Sequence, residues 1–214
     1  MLVVQISATL QIRSGRKFTA QLSHMRLSAP QGIEIAMNGD EGVLTINTAW
    51  LTAAQGNIGL TASNSKAQVD LSSTNLVSNK MVTLRLAGSD SLLKLQQVGI
   101  GGVDGQIALG GLVIEIGSGA AENGMLEASN VGIVNVASIN VRASVNGRNG
   151  VLKIQKSHLR PPGDLVLETG AQGLTEVVEN YGGSSTRFRV ATGTGGSCIA
   201  QNNDILAPIM QVCQ

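Results

Sequence analysis

The amino-acid sequence predicts an all-β protein: a right-handed parallel β-helix (β-solenoid) with about 24–25 residues and three short strands per rung, a rung being one full circuit of the chain. Three observations lead to this prediction. An eight-residue pattern recurs, a short apolar–x–apolar segment follows each copy, and only 2% of the 214 residues are aromatic, which suits a core of thin aliphatic layers. Repetition at a period of roughly 20–50 residues is the sequence mark of a solenoid.

The recurring octet reads apolar, polar, apolar, polar, polar, small or apolar, any residue, apolar, and its clearest copy is residues 44–51. Alternation at period two indicates a strand with one buried face, and the two adjacent polar places break the alternation as a corner between two strands would. Neighbouring starts are 24, 25, 24, 33 and 26 residues apart. The copies begin at Ala20, Leu44, Val69, Leu93, Leu126 and Leu152.

A second feature follows thirteen or fourteen residues after each octet begins: a short apolar–x–apolar segment that supplies the third strand of the rung. A glycine shortly before four of these segments would permit a positive φ at a tight corner. Rungs would stack about 4.8 Å apart, and the right-handedness comes from the general rule for parallel crossovers. The predicted third strands are residues 33–35, 58–60, 82–84, 107–109, 139–141 and 165–167.

Stacking the copies in register predicts interior columns of aliphatic side chains. Residues 1–169 would then form six to seven rungs, with residues 4–12 as a degraded copy of slipped register. The period fails after Glu168, so residues 170–214 are predicted to be an irregular C-terminal cap, with residues 171–181 forming either one short helix or an irregular strand. One column is Leu22, Ile46, Leu71, Leu95, Ala128 and Ile154, and another is Leu27, Leu51, Leu76, Ile100, Ile133 and Leu159.

The 33-residue spacing holds about eight extra residues. We expect them at residues 117–124, as a polar loop after an apolar strand at residues 112–116. Insertions in solenoid rungs fall in loops and are often binding sites, although a neutral surface loop is the more common outcome.

The second, outward place of the octet predicts a charge ladder, because Asp70, Lys94, Glu127 and Lys153 alternate in sign. Like charges in register would repel each other. Exposed ion pairs contribute only about 0–1 kcal/mol each, so the ladder is expected to control register more than stability.

Cys198 and Cys213, the only cysteines, are expected to form a disulfide, with two free thiols as the alternative. The bridge would close a loop of about fifteen residues and stabilise the fold by roughly 3 kcal/mol. Zinc needs about four ligands, and His24 and His158 fall on distant rungs, so no metal or other cofactor is expected. Trp50, at an outward place, is either a ligand platform or packed under a loop.

The charge and hydropathy of the chain argue against two classes of partner, nucleic acid and the membrane interior. The formal net charge is +1, with no basic run to suggest nucleic acid, and no apolar run approaches the length of a transmembrane helix. Residues 1–4 do not read as a signal peptide, so the chain is either cytosolic or a piece of a longer secreted protein; we favour the second.

With the repeat laid out, the chain resembles the filamentous-haemagglutinin class of large secreted adhesins, in particular their C-terminal portion. The similarity lies in the repeat motifs at residues 30–36, 55–62 and 162–168, and in the tail around Cys198 and residues 207–213. It implies a β-helix at the cell surface or in the medium, a host or neighbouring-cell surface as partner, polysaccharide among its ligands, and self-association along a fibre. The N-terminal secretion domain of that family is not in this sequence, which fits a C-terminal fragment.

The leading functional expectation is a non-catalytic structural or adhesive segment of a bacterial secreted or surface filament. One alternative is a β-helical protein that binds or cleaves polysaccharide, since enzymes use the same fold. However, Asp70 and Glu127 would stand about 10 Å apart with Lys94 between them, too far for a retaining glycosidase pair and only loosely suited to an inverting one. Another alternative is an oligomeric fibre, pilus-like or phage tail-spike subunit.

Overall fold

The structure, a computed structural model, describes residues 2–5, 9–14, 17–102, 110–134, 141–159, 163–182, 186–205 and 207–213. All secondary structure in these residues is β, and the strands stack in parallel as a β-solenoid. The predicted fold class is therefore confirmed. In this part of the chain there is no helix long and apolar enough to cross a membrane.

The strands form two parallel sheets. Sheet A has thirteen strands: β1 (Leu2–Gln5), β3 (Thr19–Ser28), β5 (Val43–Ala53), β7 (Gln68–Ser72), β8 (Asn75–Ser78), β10 (Leu92–Gln96), β11 (Gly99–Gly101), β13 (Met125–Ser129), β14 (Gly132–Val134), β16 (Val151–Gln155), β17 (His158–Leu159), β19 (Leu174–Val178) and β21 (Ser197–Gln201). Sheet B has nine: β2 (Thr9–Ser14), β4 (Gly32–Met37), β6 (Asn57–Ala62), β9 (Met81–Leu86), β12 (Gly111–Ile116), β15 (Val141–Val145), β18 (Asp164–Thr169), β20 (Arg187–Ala191) and β22 (Ile209–Val212).

The octet lies in sheet A and the third strand of each rung in sheet B. From β3 to β21 the chain makes seven circuits, and each rung pairs only with the rungs beside it. Both predicted interior columns are present. Ile46 pairs with Leu22 on one side and Leu71 on the other, and Leu51 pairs with Leu27 and Leu76. These side chains belong to one continuous apolar core.

The corner inside the octet falls at its fifth place, as the paired polar residues predict, and none of its described residues is glycine. These residues have φ values of 46–56°, in the left-handed region. Several of their backbone N–H groups donate to the next rung, as Ser73 N does to Gln96 O over 2.9 Å. This corner column is His24, Thr48, Ser73, Gln97, Asn130, Lys156, Glu179 and Asn202. A second left-handed column, between sheets B and A, is Lys17, Glu41, Lys66, Asp90, Asn123, Asn149 and Gln172.

In two rungs the strand that the structure describes in sheet B does not coincide with the predicted third strand. Residues 107–109 lie outside the described residues, and β12 pairs with the neighbouring rungs instead, through Leu112 on Val82 and Val141. In the next rung, Val141 occupies the first apolar place of the strand and not the last; residues 139 and 140 lie outside the described residues. Several apolar–x–apolar triplets compete in these rungs, and the neighbouring strands decide which one pairs.

The extra residues of the long rung are divided between two segments. Twelve positions separate Ile100 from Leu112, whereas six separate their partners Leu76 and Val82. Between β12 and β13 the chain has eight residues, against five between β9 and β10. Residues 117–124 therefore hold only three of the extra residues, and six enter between β11 and β12.

The strands continue beyond residue 169, so the region predicted to be an irregular cap instead adds strands to both sheets. β19 pairs with β16, and β20 with β18, before β21 and β22 add a last rung. Residues 171–181 contain a strand and no helix. At the other end, β1 and β2 also join the stack, with Val4 beside Leu27 and Leu10 beside Ile33.

Candidate interaction surface

One outward column of sheet A gathers both exposed aromatic rings of the described residues. It is the seventh place of the octet, and register and isolated bridges carry it through eight consecutive rungs. The members of this seventh-place column are, in order, Arg26, Trp50, Asn75, Gly99, Gly132, His158, Tyr181 and Asp204.

Trp50 stands near one end of the column and is 44% exposed, so it is not packed under a loop. The guanidinium carbon of Arg26, one rung away, lies 5.7 Å from the centroid of the indole ring. Such a cation–π contact contributes about 0.5–1 kcal/mol at an exposed site. It covers one face of the indole and orients the ring.

His158 and Tyr181 form a second aromatic pair near the other end of the column. Their ring centroids are 4.7 Å apart and their planes differ by 21°, which is a stacked arrangement. The centroid distance is close to the rung spacing of about 4.8 Å, so the rings stack along the axis of the solenoid. Tyr181 therefore covers one face of the imidazole and leaves the other face directed toward Gly132.

Between the two aromatic ends, the column is nearly empty of side chains. A Cβ added at Gly132 would meet no atom within 4 Å. A Cβ at Gly99 would lie 2.4 Å from Oδ1 of Asn75, so this glycine makes room for the carboxamide of its neighbour. We call the stretch of the column between Trp50 and His158 the aromatic gap; Asn75, Gly99 and Gly132 form its floor.

Neutral polar side chains border the aromatic gap on the corner side. Ser73, Gln97 and Asn130 are exposed members of the left-handed corner column in the same rungs as the floor. The hydroxyl of Ser73 donates to Oε1 of Gln97 over 3.1 Å. The gap thus combines open aromatic faces at its ends with amides and hydroxyls along one side.

The predicted charge ladder is in register on the outer face of sheet A. Asp70 pairs with Lys94, Lys94 with Glu127 and Glu127 with Lys153 along the strands. Lys94 Nζ lies 3.5 Å from a carboxylate oxygen of Glu127. The ladder extends one rung further than predicted, because Lys153 Nζ lies 3.6 Å from a carboxylate oxygen of Glu176. Glu176 lies beyond the point at which the octet pattern fails in the sequence, so the pattern does not predict it.

Cys198 and Cys213 form a disulfide, with their Cα atoms 5.4 Å apart. The bond joins β21 to the residue that follows β22, so it ties the start of the last rung to its end. Beside it, Thr175 pairs with Cys198 and donates its hydroxyl to the carbonyl of Ala191 over 2.8 Å.

No metal site emerges from the described residues: no three of their His, Cys, Asp and Glu side chains converge to hold an ion. His24 lies at the octet corner and His158 on the seventh-place column five rungs further on. Comparisons of the chain with protein-family models, with curated proteins and with solved structures found no match. The geometry defines a class of protein, a parallel β-solenoid with an exposed aromatic column.

Proposed function

We propose that this chain is a non-catalytic structural and adhesive segment of a filamentous-haemagglutinin-like protein that is secreted or held at a bacterial cell surface. The observation that carries the proposal is the uninterrupted stack of seven circuits, about 34 Å long at the usual rung spacing. Such a stack displays its outward residues in straight columns, so it acts as a rod that presents a surface.

The outer charges support a scaffold role. Lys94 and Glu127 pair across rungs of sheet A, and Arg85 lies 3.2 Å from a carboxylate oxygen of Glu115 on sheet B. Arg142 and Glu168 form a further cross-rung pair on sheet B. These half-exposed pairs add at most about 1 kcal/mol each, and their regular spacing favours a role in register.

The disulfide between Cys198 and Cys213 supports an oxidising location. Disulfides persist in secreted and surface proteins and are rare where thiols are kept reduced. This supports the secreted or surface assignment over a cytosolic one.

An antibody raised against the purified chain tests the proposal on the cells that make it. Immunogold labelling should decorate the cell surface or shed fibres, and beads coated with the chain should adhere to bacterial or host cells more than albumin-coated beads do. Label confined to the cytoplasm, or equal adhesion of both bead types, would contradict the proposal.

A further inference from the structure

The two aromatic ends of the aromatic gap face each other across an open space. Trp50 and His158 are four rungs apart in the register, which corresponds to about 19 Å. Arg26 covers one face of the indole and Tyr181 one face of the imidazole. Because both partners lie on the far sides, the uncovered ring faces are directed into the gap.

The gap between these rings carries no charge in its column. Its floor is Asn75, Gly99 and Gly132, and the corner residues that border it include the neutral Gln97 and Asn130. The charged members of the column, Arg26 and Asp204, lie beyond the aromatic rings. By charge complementarity, the matching ligand is uncharged.

A peptide strand does not fit this place by β-augmentation, because that mode needs a free sheet edge. Gly99 lies in β11, whose neighbours β8 and β14 already pair with it on both sides. A polyanion would need several free cations, and the one cation of the column near the gap, Arg26, lies behind Trp50.

A neutral sugar matches each feature of the gap. The C–H face of a pyranose ring stacks on an aromatic ring, and its hydroxyls both donate to and accept from amides. A ligand that spans the gap would meet the open faces of Trp50 and His158 and the carboxamides of Asn75, Gln97 and Asn130.

We propose that the aromatic gap is a binding site for a neutral oligosaccharide that stacks on Trp50 and His158. This inference rests on the proposed adhesive function and names the ligand class of its surface. Arg26 and Tyr181 lie against the far faces of the two rings and leave the faces toward the gap uncovered.

Trp50 provides a local readout because it is the only tryptophan of the chain. The purified chain is titrated with cellohexaose, xylohexaose, mannohexaose and chitin hexasaccharide as neutral probes, and with heparin hexasaccharide and hexagalacturonate as charged ones. We expect at least one neutral probe to change the Trp50 emission saturably, with the same dissociation constant by calorimetry. The charged probes should leave the emission unchanged.

Gly132→Val is the decisive variant. The space at Gly132 is open and its φ is not positive, so valine should fit the strand while filling the gap. Gly59→Val is the matched control, because Gly59 is also an outward strand glycine with open space, on sheet B. We expect Gly132→Val to weaken binding of the neutral probe at least about tenfold, and Gly59→Val to change it less than about twofold. Circular dichroism should show an unchanged β spectrum for both.

Three results would overturn the inference: no response to any neutral probe, a response only to charged probes, or unchanged neutral binding in Gly132→Val. None of these bears on immunogold labelling or bead adhesion. A chain that labels the cell surface but ignores neutral sugars would refute the glycan site and leave the adhesive role standing.

Discussion

Single residues at the corners tolerate a backbone conformation that non-glycine residues rarely adopt. Sixteen non-glycine residues of the described part have positive φ, among them the β-branched Thr48 at 52°. The left-handed region costs a non-glycine residue roughly 1–2 kcal/mol. Cross-rung hydrogen bonds from many of these corners, such as Lys156 N to Val178 O, offset part of that cost. The corner position was predictable from the paired polar residues, whereas its positive φ was not, since a positive φ was expected only at glycines shortly before the third strands.

Thr48→Gly should therefore stabilise the fold. Glycine removes the left-handed strain but adds freedom to the unfolded chain, so the net gain expected is about 0.5–1 kcal/mol. Urea unfolding followed by circular dichroism measures the change. Thr45→Gly, in the extended part of the same strand, is the control and should lower the stability by about as much. A loss of stability in Thr48→Gly would show that the threonine contacts at this corner outweigh the strain.

The aromatic gap was only partly visible at the level of single residues. Trp50 was singled out, because an outward tryptophan is conspicuous in a chain with four aromatic residues other than histidine. Gly99 and Gly132 were not, since each alone reads as an ordinary small residue. Tyr181 was missed because it follows the apparent end of the repeat. Writing the seventh place of every octet in one column would have revealed two glycines between aromatic residues.

Among the elements, the last rungs differ from the others in what they bury. Asn180 is 1% exposed, and its side-chain amide donates to the carbonyls of Ile154 and Val178 and to Oδ1 of Asn203. Its own Oδ1 accepts from Ser157 N over 2.9 Å. Thr74 and Ser157 are buried at the same place of earlier rungs, and in this rung the buried Thr175 also stands where its partner Leu152 is aliphatic. The strands β19–β22 escaped prediction for this reason: hydrogen bonding replaces the aliphatic pattern that the sequence displays elsewhere.

Cys198→Ser should loosen the last rung. Opening the loop of fifteen residues removes about 3 kcal/mol in the chain-entropy model. Because rungs contact only their neighbours, the loss should be local. Limited proteolysis should then cleave between residues 192 and 213 while a core that ends near residue 191 survives. Cys213→Ser is the control and should behave identically. Equal protection of this segment in wild type and both variants, or loss of the whole core, would contradict a local role.

At the scale of the whole molecule, the solenoid is modular. The octet register, the two apolar columns and the charge ladder could be predicted because each depends on large aliphatic or charged side chains repeated at one spacing. Leu71, for example, meets Ile46 and Leu95 in the order that the alignment of octets gives. Lengths of insertions and choices between rival triplets were not predictable, since these depend on which neighbouring strand is present to pair.

Deleting residues 69–92 should leave a folded chain one rung shorter. Gln68 and Leu92 are register partners, so the junction brings Leu93 to the place that Val69 held beside Leu44. We expect a β-type circular dichroism spectrum and a monodisperse elution profile. The free energy of unfolding should be lower by about the contribution of one contact between neighbouring rungs. Deletion of residues 69–80, half a rung, is the control and should abolish folding because it misaligns both sheets. Equal behaviour of the two deletions would contradict modular stacking.

The bond between Cys198 and Cys213 has a mechanical consequence. A solenoid pulled along its chain lengthens coil by coil as each one peels away. Tension that enters from beyond residue 213 passes through the sulfur atoms, so the enclosed residues 199–212 cannot be drawn out. About 50 Å of extended chain length is therefore not released when the chain is pulled. A surface fibre anchored at that end would transmit shear to the coils below before its own last coil unravelled.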